Sequence, residues 1–194
     1  MRKLIVHEFI TLDGVIQAPG GADEDRDGGF EHGGWTHAYW HDDIGVSFGT
    51  LMKDVDAFLL GRRTYVTHAD AFEPMPAGDP FGDLMNPPAK YVVSKTLDKP
   101  RWRNTTIIRD DAVAAVRALK LQPGKTILSD GSSQLLQTLL AHDLVDELHL
   151  SLFPLSVGGG KRLFPAGALS RFTLVGTKPY PTGVVGLHYA LKTA

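Results

Sequence analysis

The sequence predicts a three-layer α/β protein, a mixed and mostly parallel central sheet with helices on its faces and antiparallel strands at its C-terminal end. Three observations carry this. From Leu4 to about Asp143, short apolar runs alternate with segments of helical period, the pattern of strands joined through helices. The first run, Leu4 to Leu12, is apolar on both alternating faces, as a strand covered on both sides must be. The last third then changes character: "VDELHLSLFP", "FTLVGTKPY" and "GVVGLHYALK" alternate, and only Gly- and Pro-rich connections join them. With 194 residues, 43% of them hydrophobic, and neither linker nor repeat, residues 1–194 are expected to form a single domain.

The elements follow in order. The Leu4 strand ends at "DG", a turn at a strand end, where α/β proteins often bind ligands. Gln17 to about His41 has no period, many glycines and an acidic cluster, and reads as a long loop whose Phe30, Trp35, Tyr39 and Trp40 pack over something. Asp42 or Asp43 can cap a helix with Ile44, Phe48, Leu51 and Met52 on one face, and "AFLL" follows as a strand. Gly61 turns the chain into a helix near Arg62, and "PAGDPFGDLMNPP" reads as a loop. "KYVVS", "TTIIR" and "TILS" are short strands. "DDAVAAVRALK" and "SSQLLQTLLAHD" are helices, the second with leucines 135, 136, 139 and 140 in one stripe.

Composition removes several function classes. A net charge of −2 and a pI near 6.4 provide no basic field for nucleic acid or an anionic membrane, so an anionic ligand must be met locally. The absence of cysteine excludes disulfides, a thiol nucleophile and cysteine-based zinc motifs, and suits a cytoplasmic location. No apolar stretch approaches the roughly 20 residues that span a bilayer.

Three strand ends carry phosphate-compatible chemistry. Gly61, Arg62, Arg63 and Thr64 offer a close-approach glycine, helix-start amides, two guanidinium groups and a hydroxyl. Ser94, Lys95 and Thr96 end the next strand. Asp130-Gly131-Ser132-Ser133 opens the leucine-striped helix. Each alone is ordinary capping; their repetition in order is the signal.

Together with "TLDGVI", "LLGRRTY", "VVSKTL" and the run from Asp130 to Phe164, these motifs make the chain resemble the dihydrofolate reductase-like superfamily. The branch it is most similar to is the reductase domain of riboflavin biosynthesis and its stand-alone relatives, without the deaminase half, whose cysteine ligands are missing here. The resemblance implies bound NADPH. Arg62, Arg63 and Thr64, after Gly61, would meet its phosphates. Ser94, Lys95, Thr96 and Arg109 would line the adenosine side. Gly131, Ser132, Ser133, Gln134 and Leu135 would cradle the pyrophosphate, and Gly14, Val15 and Ile16 would edge the nicotinamide. Asp130 departs from the glycine pair usual at that turn, and its carboxylate would repel phosphate unless it turned away.

The expected activity is hydride transfer to a small pteridine- or pyrimidine-like heterocycle, or a related carbonyl or imine. Asp13, Asp42 and Asp43 are the candidate proton-handling acids, and Trp35, Tyr39 and Trp40 the substrate wall. No resident metal is expected, the partner is a small molecule, and the resemblance implies a homodimer. Two alternatives stand beside this: a non-catalytic nucleotide-binding module, and a metal-dependent hydrolase built on His37, His41 and neighbouring Glu31, His32, Asp42 and Asp43.

Overall fold

The computed structural model describes residues 1–167 and 169–191. Its centre is an eight-stranded sheet in the order β4-β3-β2-β5-β1-β6-β8-β7. The strands are β1 (Leu4–Thr11), β2 (Val55–Gly61), β3 (Ala89–Val93), β4 (Thr105–Ile108), β5 (Thr126–Ser129), β6 (Glu147–Phe153), β7 (Phe172–Pro179) and β8 (Val185–Leu191). The first six run parallel, and β8 pairs antiparallel with both β6 and β7. Among the described residues five α-helices flank the sheet: α1 (Asp42–Met52), α2 (Arg62–Phe72), α3 (Pro80–Met85), α4 (Ala112–Leu121) and α5 (Ser133–Ala141).

The period of two along the central strands sorts the core into two layers. Leu4, Val6, Ala57, Leu59 and Ile127 pack with Val116 and Leu119 of α4 and the four leucines of α5. Their neighbours Ile5, Phe58, Leu60 and Leu128 point the other way, onto Met52, Tyr65, Ala69, Met85 and Trp102. Buried on both faces, these strands must be nearly continuous in apolar residues, as the sequence reading supposed.

Local readings are corrected at two places. Neither Asp42 nor Asp43 caps α1: His41 does, its Nδ1 accepting from the Asp43 amide at 3.2 Å, so both aspartates lie in the first turn. The segment read as a loop around Pro80 contains α3, because Asp79 accepts hydrogen bonds from the Phe81 and Gly82 amides and Pro80 is pre-set for a first helical position. The long loop from Gln17 to His41 holds only two single turns, at Asp27–Gly29 and His37–Tyr39. Phe30 and Trp35 pin it down in a third cluster with Val15, Ile44, Phe153 and Tyr180.

One irregularity positions the site. β1 pairs with β5 only over Leu4 to Val6, yet with β6 from Ile5 through Thr11. Beyond Val6 the chain of β5 departs toward α5 on one face, and that of β1 toward the loop and α1 on the other. A crevice at such a switch of direction is where open α/β sheets bind ligands.

Candidate functional site

β3, β2 and β5 are consecutive in the sheet and parallel, so the three motif-bearing turns line one edge side by side. The two inner turns interlock. Ser132 is held at φ 61°, a left-handed conformation unusual for a residue with a side chain. Its Oγ accepts from the Gly61 amide at 2.8 Å and donates to Thr64 Oγ1 at 2.9 Å. Gly131, at φ +56°, lies so close that a Cβ would fall 2.7 Å from Thr64 Oγ1. The N-termini of α2 and α5 therefore meet, each presenting first-turn amides without intrahelical partners and a positive dipole end. Arg62 and Arg63 flank them, exposed.

Asp130 is turned away from this cradle. Its carboxylate oxygens are 3.1 and 3.2 Å from His68 Nε2 on α2. Burial alone would lower the His68 pKa and raise that of Asp130, but their mutual attraction outweighs it: His68 is raised and Asp130 lowered. An ion pair thus replaces the repulsion that the sequence suggested.

Arg63 is engaged too. It forms an ion pair with Asp27 of the acidic loop, and Lys161 reaches Asp25 at 2.5 Å and Asp27 at 3.0 Å. These cations hold the exposed Asp27 carboxyl down at about 2, Arg63 contributing most. A cleft of about 480 Å³ lies between the acidic loop and the glycine-rich segment, lined by Asp27, Phe30, Gly159 and Lys161.

At the outer turn Ser94 Oγ accepts from the Thr96 and Leu97 amides at 3.2 and 2.9 Å, leaving Lys95 and Thr96 exposed. Arg109 closes over it, donating to the Leu97 carbonyl at 3.0 Å. Ser133 and Gln134 lie in the first turn of α5, whereas Leu135 turns into the core. In the Asp13 turn, Gly14 takes φ +82°, Val15 bridges Arg162, and the side chains of Val15 and Ile16 are buried.

The candidate acids sit apart from one another. Asp13 accepts from Thr11 Oγ1 at 2.6 Å and from the Gly158 and Val157 amides at 2.9 and 3.3 Å, and the Thr11 hydroxyl above all holds it down at about 2. It is an ionised tie between two loops. Asp13→Asn is expected to leave the fold intact while lowering stability by about 1–2 kcal/mol in a urea titration, since the amides of residues 157 and 158 would lose a charged acceptor. Asp42 and Asp43 are exposed at the start of α1.

A second cavity, about 280 Å³, opens between α1 and the sheet and is lined by His7, Ser47, Phe48, His149, Lys178 and His188. Neither Asp42 nor Asp43 reaches it. Of the expected aromatic wall, Trp35 is 7% exposed, with Nε1 donating to the Gln17 carbonyl at 2.8 Å and its ring edge-on to Phe153. Tyr39 also packs edge-on to Phe153, whereas Trp40 remains 41% exposed beside Phe9.

Two ionisable residues of β1 escaped the sequence reading: His7, which lines the α1 cavity, and Glu8, buried on the opposite face. Burial pushes the His7 imidazole down to about 4, against the pull of Asp130. Burial, reinforced by the Asp130 charge, raises the Glu8 carboxyl well above its usual range, and its Oε1 has no hydrogen-bond partner. The His7 imidazole is therefore neutral near pH 7. The signal was two ionisable residues in the middle of an otherwise apolar central strand.

The residues of the metal-hydrolase alternative are dispersed. His37 Nε2 is bonded to the Gly20 carbonyl and His41 caps α1. Among the described residues, side chains spaced to share an ion are Glu147, His149 and His188.

The sequence profile of the RibD C-terminal domain matches residues 2–186. The uncharacterized protein YyaP of Bacillus subtilis is 28% identical over 192 residues, covering 97% of this chain and 94% of its own. The fold is shared with a protein named for riboflavin biosynthesis from Shewanella sp. PV-4, with a TM-score of 0.75, 21% identity, and coverage of 98% and 99% of the two chains. It is shared also with dihydrofolate reductase of Enterococcus faecalis, solved with NADP(H), with a TM-score of 0.64, 16% identity, and coverage of 98% and 97%.

Proposed function

We infer an NADPH-dependent reductase from two premises: the chain belongs to the RibD C-terminal domain family, and Ser132 joins two helix N-termini into one anion cradle beside a pair of arginines. The cradle is the observation that carries the reading. Because a Cβ at Gly131 would strike Thr64, only glycine lets the two helix starts approach this closely, and charge-assisted arginine contacts are the natural means of selecting a dianionic 2′-phosphate. Gly61, Arg62, Arg63, Thr64, Ser132, Ser133 and Gln134 would hold the phosphates, with Ser94, Lys95, Thr96 and Arg109 at the adenosine end and Gly14 near the nicotinamide. Bound there, NADPH supplies a hydride.

The remaining chemistry belongs to the chain. The cavity beside α1, about 280 Å³, suits a small flat heterocycle of the pteridine or pyrimidine kind, or a related carbonyl or imine. His7, neutral on its wall, can donate or accept one hydrogen bond to it. Glu8, whose buried carboxyl is raised above the usual range, holds a proton more tightly than Asp13, which is held down at about 2, and is the better candidate proton reservoir. Lys178 and Ser47, bonded to each other at 2.9 Å, add polar contacts at the cavity mouth. Trp40, exposed beside Phe9, is the aromatic of the long loop best placed to cover a ligand.

Titrating NADPH and NADH while following tryptophan fluorescence tests the reading. NADPH is expected to bind more tightly than NADH. Arg63→Ala should weaken NADPH by about 10- to 100-fold through loss of a charged contact. Asp27→Asn should strengthen it, because the carboxylate that now occupies Arg63 competes with phosphate. Absence of nucleotide binding, or equal affinity for both, would refute the proposal. Oxidation of NADPH across a panel of heterocycles separates a reductase from a silent binder.

A further inference from the structure

A row of three histidines crosses the sheet face beneath the α1 cavity: His7 on β1 pairs with His149 on β6, which pairs with His188 on β8. Glu147 stands two residues before His149, hence on the same face. We propose that Glu147, His149 and His188 form a binding site for a divalent first-row transition-metal cation of the zinc class, open toward the cavity.

Geometry carries the assignment. Glu147 Oε2 lies 3.2 Å from His149 Nε2 and 3.1 Å from His188 Nε2, and the candidate ligand atoms of all three residues lie within 4.8 Å of one another. Donors bound to one ion at 2.0–2.1 Å are separated by about 2.8–3.4 Å in octahedral or tetrahedral shells, which the Glu147 contacts already match; the two imidazoles, stacked at 4.1 Å with 23° between their planes, would turn toward each other to aim both Nε2 atoms at one ion. The other carboxylate oxygen, Oε1, accepts from Lys3 Nζ at 2.6 Å, a contact that orients the carboxylate and leaves Oε2 to the imidazoles. Two imidazoles and one carboxylate favour zinc, cobalt, nickel or ferrous iron over magnesium or calcium. Three protein ligands leave coordination positions vacant, and His149 and His188 line the cavity.

The site uses none of the residues of the hydrolase alternative and does not depend on the reductase reading. Its test uses tag-free, chelator-stripped full-length protein titrated with Co²⁺ by visible absorption and with Zn²⁺ by calorimetry. One ion per chain and ligand-field bands are expected, with displacement of Co²⁺ by Zn²⁺ and no comparable binding of Mg²⁺. The double variant Glu147→Gln/His188→Gln should lose about 100-fold or more in affinity. His142→Asn, a change at an exposed histidine elsewhere, should not. Absence of Co²⁺ bands in the wild type overturns the proposal even if the double variant misfolds. Undiminished binding in a folded double variant overturns it as well.

Discussion

Gly131→Ala is expected to be among the most damaging single-methyl additions to this chain, lowering stability by about 2–5 kcal/mol and abolishing nucleotide binding. Two costs combine. A left-handed φ of +56° penalises any Cβ by about 1–2 kcal/mol. The new Cβ would also lie 2.7 Å from Thr64 Oγ1 and 2.9 Å from Thr64 Cγ2, so the start of α2 must move away from the start of α5. That movement breaks the Ser132 bonds to Gly61 and Thr64, and with them the convergence of amides that the proposed cofactor's phosphates would need. Gly14→Ala is the control. At φ +82° it bears a conformational penalty, yet a Cβ there has nothing within 4 Å. Thermal melts should drop markedly further for Gly131→Ala than for Gly14→Ala. Equal drops would mean that the Thr64 contact is unimportant.

That cradle shows what could and could not be read from the chain. The motifs at Gly61, Ser94 and Gly131 were legible because strand ends, glycines and helix starts are local features, and strand order then sets them on neighbouring strands. The sheet was legible for a similar reason: Leu4/Ile5, Leu59/Leu60 and Ile127/Leu128 divide between two core layers by a period of two that the sequence displays. Partners distant in sequence were not legible. Nothing near Asp130 announces His68, 62 positions away, as its counter-ion, and nothing near Arg63 announces Asp27, 36 positions away. Trp35 illustrates the opposite error: an aromatic in a glycine-rich loop looked like a ligand wall, but Gln17 and Phe153 bury it. The Glu147–His149–His188 cluster was hidden because it needs the register of β6 with β8, which places His188 opposite His149.

The remaining large effect concerns the ion pair that relieves the cradle of negative charge. Asp130→Asn is expected to lower stability near pH 6 by about 3 kcal/mol, since removing one member of a largely buried pair strands the other. Its pH dependence identifies the cause. His68 gains proton affinity on folding, so its contribution is complete below the unfolded pKa of about 6.5 and is lost as pH rises through the higher folded value. Asp130 loses proton affinity, so its contribution is present above about 3.8 and is lost as pH falls through the lower folded value. The pair is therefore strongest between those limits, and urea midpoints of wild type and Asp130→Asn should converge as pH rises through the raised His68 value. A gap that stays constant with pH would remove the ion pair from the account. The complementary variant links stability to binding. His68→Gln leaves the Asp130 carboxylate uncompensated one residue before Gly131, where it would oppose phosphate, so NADPH affinity should fall in His68→Gln and persist in Asp130→Asn. Weakening in Asp130→Asn alone would show instead that the carboxylate is needed to shape the turn.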